Sequence, residues 1–152
     1  MSYRLYWLIE PYVLVNESYD VLTQEELTDF IEQSLKVIQA VDHPVHFIAD
    51  GNNVHQFTVS LVGLQKLLRP FNNHPNVGWL ITLNKTPIER MIAGIAVQFL
   101  RSKARAFGSL QDALVFLMSM DDKIPRVDAM EAIRLAADSP VIASAKPEQN
   151  TP

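Results

Sequence analysis

Apolar positions change their spacing several times along the chain, and each change marks an element. Tyr3 to Leu8 and Tyr12 to Asn16 are dense in aromatic, β-branched and other apolar residues, with Glu10-Pro11 between them. That pattern predicts a strand pair. The spacing then lengthens, and Leu27, Phe30, Ile31, Ser34, Ile38 and Val41 fall on one face of a helix. Its entry, Thr23-Gln24-Glu25-Glu26, is a capping box in which the Thr hydroxyl accepts from the N3 amide while Glu26 reaches back. Pro44 should end it near Asp42.

Val45 to Ala49 is a short apolar strand, and Asp50-Gly51 reads as a turn. A second helix is expected from near Thr58, with Leu61, Leu64, Leu67 and Leu68 inward, stopping at Pro70. Val77 to Leu83 (VGWLITL) is a strand. Thr86-Pro87-Ile88-Glu89 then gives a helix N-cap, a proline at the first turn and a capping-box Glu, opening a helix over 86–101. Ala104 to Phe107 suits a brief edge strand. Ser109 to Asp112 caps a last long helix carrying Leu110, Ala113, Leu114, Leu117 and Met118.

The order is β-β-α-β-α-β-α-β-α. Strands separated by single helices imply an α/β fold with right-handed crossovers, a mixed but mostly parallel sheet of about five strands and about four helices. One domain is expected over residues 1–120. Residues 121–138 would be a C-terminal extension with a short amphipathic helix after Pro125, and 139–152, with its prolines, a mobile tail.

Composition narrows the classes. At 152 residues, 48% hydrophobic and 20% charged, the chain is globular in character. No apolar run approaches the ~20 residues of a membrane span. The N-terminus lacks the small-residue cleavage site of a signal peptide. Cysteine is absent, which excludes disulfides, thiolate metal sites and a cysteine nucleophile, and a cytoplasmic location is expected. The net charge of −4 hides an asymmetry: residues 1–50 hold nine acids and two bases, residues 84–109 five bases and one acid. The basic set, Lys85, Arg90, Arg101, Lys103 and Arg105, is too sparse to argue for nucleic acid.

The chemistry worth weighing sits in DGNNVHQFTVSL (50–61). His46, Asp50, His55 and Ser60 supply bases, an acid and a hydroxyl. On a strand, however, His46 and Asp50 lie ~13 Å apart. Ser60 lacks flanking glycines, and two histidines do not make a metal site. No glycine-rich phosphate loop occurs. Neither catalysis, nor a cofactor, nor a metal is expected. The plain reading makes Asp50 or Asn52 a turn residue, Thr58 a helix cap, and His55 and His74 surface residues. Trp7 and Trp79, on strands, suit sheet packing. MIAGIAV (91–97) is apolar on every side and needs a second cover, so Met91, Ile92, Ile95 and Phe99 are candidates for a ligand or homodimer surface.

The element order and this dodecapeptide together resemble the STAS domain family of sulfate transporters and anti-sigma factor antagonists. In that family a strand ends in Asp, a hydrophobic residue follows, and a D-x-S-G or D-S-S-G motif opens the next helix. Asp50 and Val54 match the first part, and Thr58-Val59-Ser60-Leu61 occupies the motif, with Thr58 in place of its Asp and Leu61 in place of its Gly. Ser60 holds the position of the family's phosphorylatable serine. RAFGSLQDALVFL (105–117) is similar to the family's closing strand and helix. SpoIIAA-like proteins are a second resemblance, through Leu22-Thr23 and the same closing helix.

The resemblance implies a non-catalytic regulatory domain that binds a protein partner, as in partner-switching signalling. Its surface would be Asp50, Asn52, Asn53, His55, Thr58 and Ser60, with Ser60 a phosphorylation site. The alternative it implies is a carrier of a small apolar or lipid ligand held by helix 86–101; a hydrolase is the least supported reading.

Overall fold

The computed structural model describes residues 3–58, 60–72, 74–84 and 103–144. Strands β1 (Tyr3–Ile9) and β2 (Val13–Leu22) form an antiparallel pair, closed where Tyr12 N–H donates to the Ile9 carbonyl at 2.7 Å. Helix α1 (Gln24–Gln39) leads to β3 (Val45–Phe57), and α2 (Leu61–Asn72) leads to β4 (Val77–Leu83). After β5 (Ala104–Phe107) come α3 (Leu110–Met120), α4 (Ala129–Ala136) and β6 (Ala143–Ser144). The expected helix over 86–101, with Met91, Ile92, Ile95 and Phe99, lies outside the described residues.

The six strands are ordered β5-β4-β3-β2-β1-β6. β2 through β5 run parallel, and β1 pairs antiparallel with both β2 and β6. Successive right-handed crossovers in one direction put α1 and α2 on the same face. There Leu27, Phe30, Ile31 and Ile38 of α1 and Leu64 and Phe71 of α2 meet Tyr3, Leu14 and Phe47 of the sheet. On the other face Leu114 and Leu117 of α3 and Ala132 and Ala136 of α4 cover Leu8, Val15, Ile48 and Ile81. With both faces covered, β3 reads Val45, His46, Phe47, Ile48 with all four side chains buried, the run expected of a parallel central strand.

Two of the expected hydroxyl caps form. Thr23 Oγ1 accepts from Glu26 N–H at 3.2 Å, and Ser109 Oγ from Asp112 N–H at 3.2 Å.

Four expectations change. The expected turn at Asp50-Gly51 is strand: β3 continues to Phe57, paired with β2. Two bulges make this possible. Glu17 and Tyr19 face Asp50 and Asn53, and Asp20 and Val21 face Val54 and Gln56, so β3 carries an extra residue at each place. Asp20, opposite the second, has φ 57°, a left-handed conformation that Asp tolerates better than most side chains. Helix α2 begins at Leu61 rather than near Thr58. Ser60 caps it, accepting from Gly63 N–H at 3.0 Å, while Thr58 N–H donates to the Leu22 carbonyl at 3.1 Å as the pairing with β2 closes. α2 also passes Pro70, because Phe71 is buried against Phe47 with ring centroids 5.8 Å apart.

The fourth concerns the C-terminus. Residues 143–144, placed by sequence in a mobile tail, form β6 against Arg4 and Leu5, and Ile142 N–H donates to the Leu5 carbonyl at 2.8 Å. The strand count rises accordingly from about five to six. Within 121–138, Asp128 caps α4, and Ile124, Ala129, Ala132 and Ala136 are buried in the second-face core. Ile124→Ala should therefore lower global stability by about 2–5 kcal/mol. In urea unfolding followed by circular dichroism, the expected result is one transition at lower denaturant. A separately melting C-terminal segment would contradict it.

Candidate functional site

The dodecapeptide singled out by sequence splits into two parts. Asp50 and Asn52 are half-buried: Asp50 Oδ1 accepts from Asn52 N–H at 3.0 Å, and Asn52 Nδ2 donates to the Gly108 carbonyl at 3.2 Å, tying β3 to the end of β5. Asp50 also adds to a polar group between β1 and β2. There Arg4 pairs with Glu17 at 3.1 Å and lies over the Tyr6 ring, and Tyr19 donates to Glu17 at 2.5 Å. Burial first, then the Glu17 contact, pushes the Tyr19 hydroxyl up to about 12, and the negative charge of Asp50 acts in the same direction. Asn53, His55, Gln56, Thr58 and Ser60 are exposed, as is Val62 at 62%. These described residues mark an exposed rim at the doubly bulged end of β3 and the first turn of α2.

A second site lies at the opposite end of the parallel strands. Between α1 and β3 stand His43 and Pro44, before β4 His74, and at the entry to β5 Lys103. These residues, with Tyr12, Trp79 and the turn after α3, surround a cleft of about 480 Å³. His46 lies in its floor with only 4% of its surface exposed. Residue by residue, β3 and β4 fall out of register here: Val45 faces Val77 but Phe47 faces Leu80, so Gly78 and Trp79 stand opposite His46 alone. The bulge releases the Trp79 amide from the ladder, and it donates to His46 Nδ1 at 2.9 Å. Since Nδ1 is the acceptor, the proton is on Nε2, which donates to Asp121 Oδ2 at 2.8 Å.

Glycine is required at position 78 for this arrangement. A Cβ there would stand 2.5 Å from His46 Nδ1, inside any tolerable contact. Sequence pattern could not reveal Asp121, 75 residues from His46, as the imidazole's partner. Burial lowers the basicity of His46, and Lys103 acts in the same direction. Asp121 opposes them through its hydrogen bond and charge, and the net shift is downward. Partial burial works against ionisation of Asp121, yet hydrogen bonds from His46 and from the Lys123 amide outweigh it and hold its carboxyl below the usual range.

Both imidazole nitrogens are thus engaged in positioning the chain. The turn between α3 and α4 is fastened through Asp121 to the central strand. Among the described residues, no three His, Asp or Glu side chains gather closely enough to hold a metal ion. Nor does any helix among them have the length and apolarity to cross a membrane.

No protein-family model matches the chain, and no curated protein does. Solved structures do match. One is an uncharacterized protein from the DUF3478 family with a SpoIIAA-like fold, from Shewanella loihica PV-4. It aligns with a TM-score of 0.58 at 13% identity over 76% of this chain and 92% of that one. The fold is SpoIIAA-like. The architecture that the STAS and SpoIIAA resemblance implied is therefore present. At this identity the likeness carries the fold and leaves the chemistry of the SpoIIAA-like chain to its own residues.

The neutral, two-sided His46 makes stability depend on pH in a definite direction. Its folded pKa is below the unfolded value of ~6.5, so in between the unfolded chain binds more protons and stability rises with pH. The contribution should be complete above that value and disappear as pH falls through the folded pKa. Asp121 adds a second loss at lower pH, below the unfolded carboxylate value of ~3.9. Urea titrations from neutral to mildly acid pH should show the decline, and His46→Asn should flatten its upper part. Gly78→Ala should cost about 2–4 kcal/mol at neutral pH through steric displacement and the lost Trp79 bond. A variant of unchanged stability would contradict this geometry.

Proposed function

We propose that the chain is a non-catalytic binding domain of the SpoIIAA-like kind, meeting a protein partner along the rim from the end of β3 to the start of α2. The observation that supports this most is the exposure of Asn53, His55, Gln56, Thr58, Ser60 and Val62 at the end of β3 and the start of α2. Bulges bend this edge without unpairing it from β2, so it is both accessible and held in shape. Polar groups with one apolar residue suit a reversible protein contact.

Ser60 is the natural point of control in this reading. It is exposed, and its Oγ already accepts from Gly63 N–H at the helix start. A phosphate there would meet the unpaired amides of the first turn and add charge to the contact surface. The reading is strengthened by the engagement of both His46 nitrogens, which leaves that imidazole no open position for general-base work. A cytoplasmic signalling role fits, with self-association through 86–101 as a further element of the same proposal.

Asp caps helices as well as Ser does, so Ser60→Asp should fold normally while adding the charge. Capture from cell extract, quantified by mass spectrometry, should show one partner lost with Ser60→Asp and kept with Ser60→Ala, despite about 1 kcal/mol of weakened capping in the latter. Equal capture by both variants, and by Asn53→Ala/His55→Ala, would remove the rim from consideration. Light scattering across concentration tests self-association separately: mass should rise with concentration and stay monomeric in Ile92→Lys.

A further inference from the structure

The cleft around His46 plays no part in the rim reading, and its features point to a ligand of a particular kind. Its volume of about 480 Å³ falls in the range of small-molecule sites. Aromatic and apolar walls come from Tyr12, Phe71, Val77 and Trp79. Asp121 is the one carboxylate among the described residues that line it, and each of its oxygens accepts a hydrogen bond, Oδ2 from His46 Nε2–H and Oδ1 from Lys123 N–H. Against this single, inward-directed charge stand two exposed ammonium groups, Lys103 and Lys123. Lys103 is near enough to His46, and Lys123 to Asp121, for each cation to act electrostatically on that group.

Aromatic surface and positive charge meet at one point. The Lys103 ammonium lies 5.6 Å from the centroid of the Trp79 ring. Trp79 is itself held in place, edge-on to Phe116 at 4.9 Å and through its backbone amide to His46. A flat ring entering beside the indole would therefore bring an anionic substituent toward Lys103, with Lys123 on the same cleft. A cationic ligand would face two like charges against a carboxylate already accepting from His46 and from the Lys123 amide.

The geometry points to a binding site in this cleft for a small organic anion, a carboxylate or phosphate carried on an aromatic ring. Trp79 takes the ring and Lys103 and Lys123 take the anion. His46 is a positioning residue that sets Trp79 and Asp121 without touching the ligand. The site is at the N-terminal edge of the parallel strands, the reverse of the edge where open α/β sheets usually bind. What creates it is local: the β4 bulge that withdraws Trp79 from the ladder.

The chain has two tryptophans, so Trp7→Phe leaves Trp79 as the sole indole reporter. Phenyl phosphate is the probe, with benzoate, phenol and inorganic phosphate for comparison, followed by the Trp79 indole N–H resonance. Phenyl phosphate and benzoate should shift that resonance saturably. Lys103→Gln/Lys123→Gln, changes at exposed positions, should raise the Kd for phenyl phosphate about tenfold or more. Phenol and inorganic phosphate should each bind about tenfold more weakly than phenyl phosphate, having only half of the recognised chemistry. Lys66→Gln, on exposed α2 surface away from the cleft, should leave binding unchanged.

The inference is overturned by no saturable shift up to about 10 mM phenyl phosphate, a Kd of negligible biological affinity. Equal affinity for phenol, or equal loss in Lys66→Gln, would overturn it as well. Because the rim is not part of this measurement, its outcome is independent of Ser60.

Discussion

From His46 to Asp50, β3 is paired on both sides, with β2 and with β4, and from Val45 to Ile48 it is buried on both faces. A parallel strand so enclosed can satisfy its backbone only through those two ladders, since water does not reach them. Where the ladders stay regular the strand builds core, with Phe47 turned to α1 and α2 and Ile48 to α3 and α4. Where they are interrupted, at the bulge opposite His46 and at the two bulges after Asp50, polar groups gather. Both candidate sites are products of those interruptions.

His46 shows how one interruption is stabilised. A buried imidazole is costly unless both nitrogens find partners. The released Trp79 amide and the Asp121 carboxylate supply them, and the absence of a side chain at Gly78 leaves room for the ring. The same bond ties the turn after α3 to the middle of the sheet. Ile124 and the alanines of α4 follow it into the core, and β6 then closes the edge beside β1. Residues 121–144 are thereby part of the domain's packing.

The two ends differ in character. The rim is exposed, polar and formed by a bent strand and a helix start, qualities suited to meeting another macromolecule. At the other end is a concave, partly aromatic hollow lined, among the described residues, by two exposed lysines and by one carboxylate bonded to His46. Some 480 Å³ is small-molecule scale. Because the cleft and the rim lie at opposite ends of β3, a ligand in one would not obstruct a partner at the other.

Sequence alone determined the order of the described elements from β1 to β4 and from β5 to α3, the caps at Thr23 and Ser109, and the inward faces of α1 and α3. These are written in local periodicity and in hydroxyls placed three residues before the amides they bind. It also singled out residues 50–61, but as a turn, because each bulge breaks the alternation by which a strand is read. DGNNVHQF shows no period of two, and only the facing residues of β2 reveal it as paired. The His46–Asp121 bond, the need for glycine at 78, and the place of Ala143 beside Leu5 were decided by tertiary structure. Each joins positions far apart in the chain, and a one-dimensional pattern carries no information about which distant group will satisfy a buried polar atom.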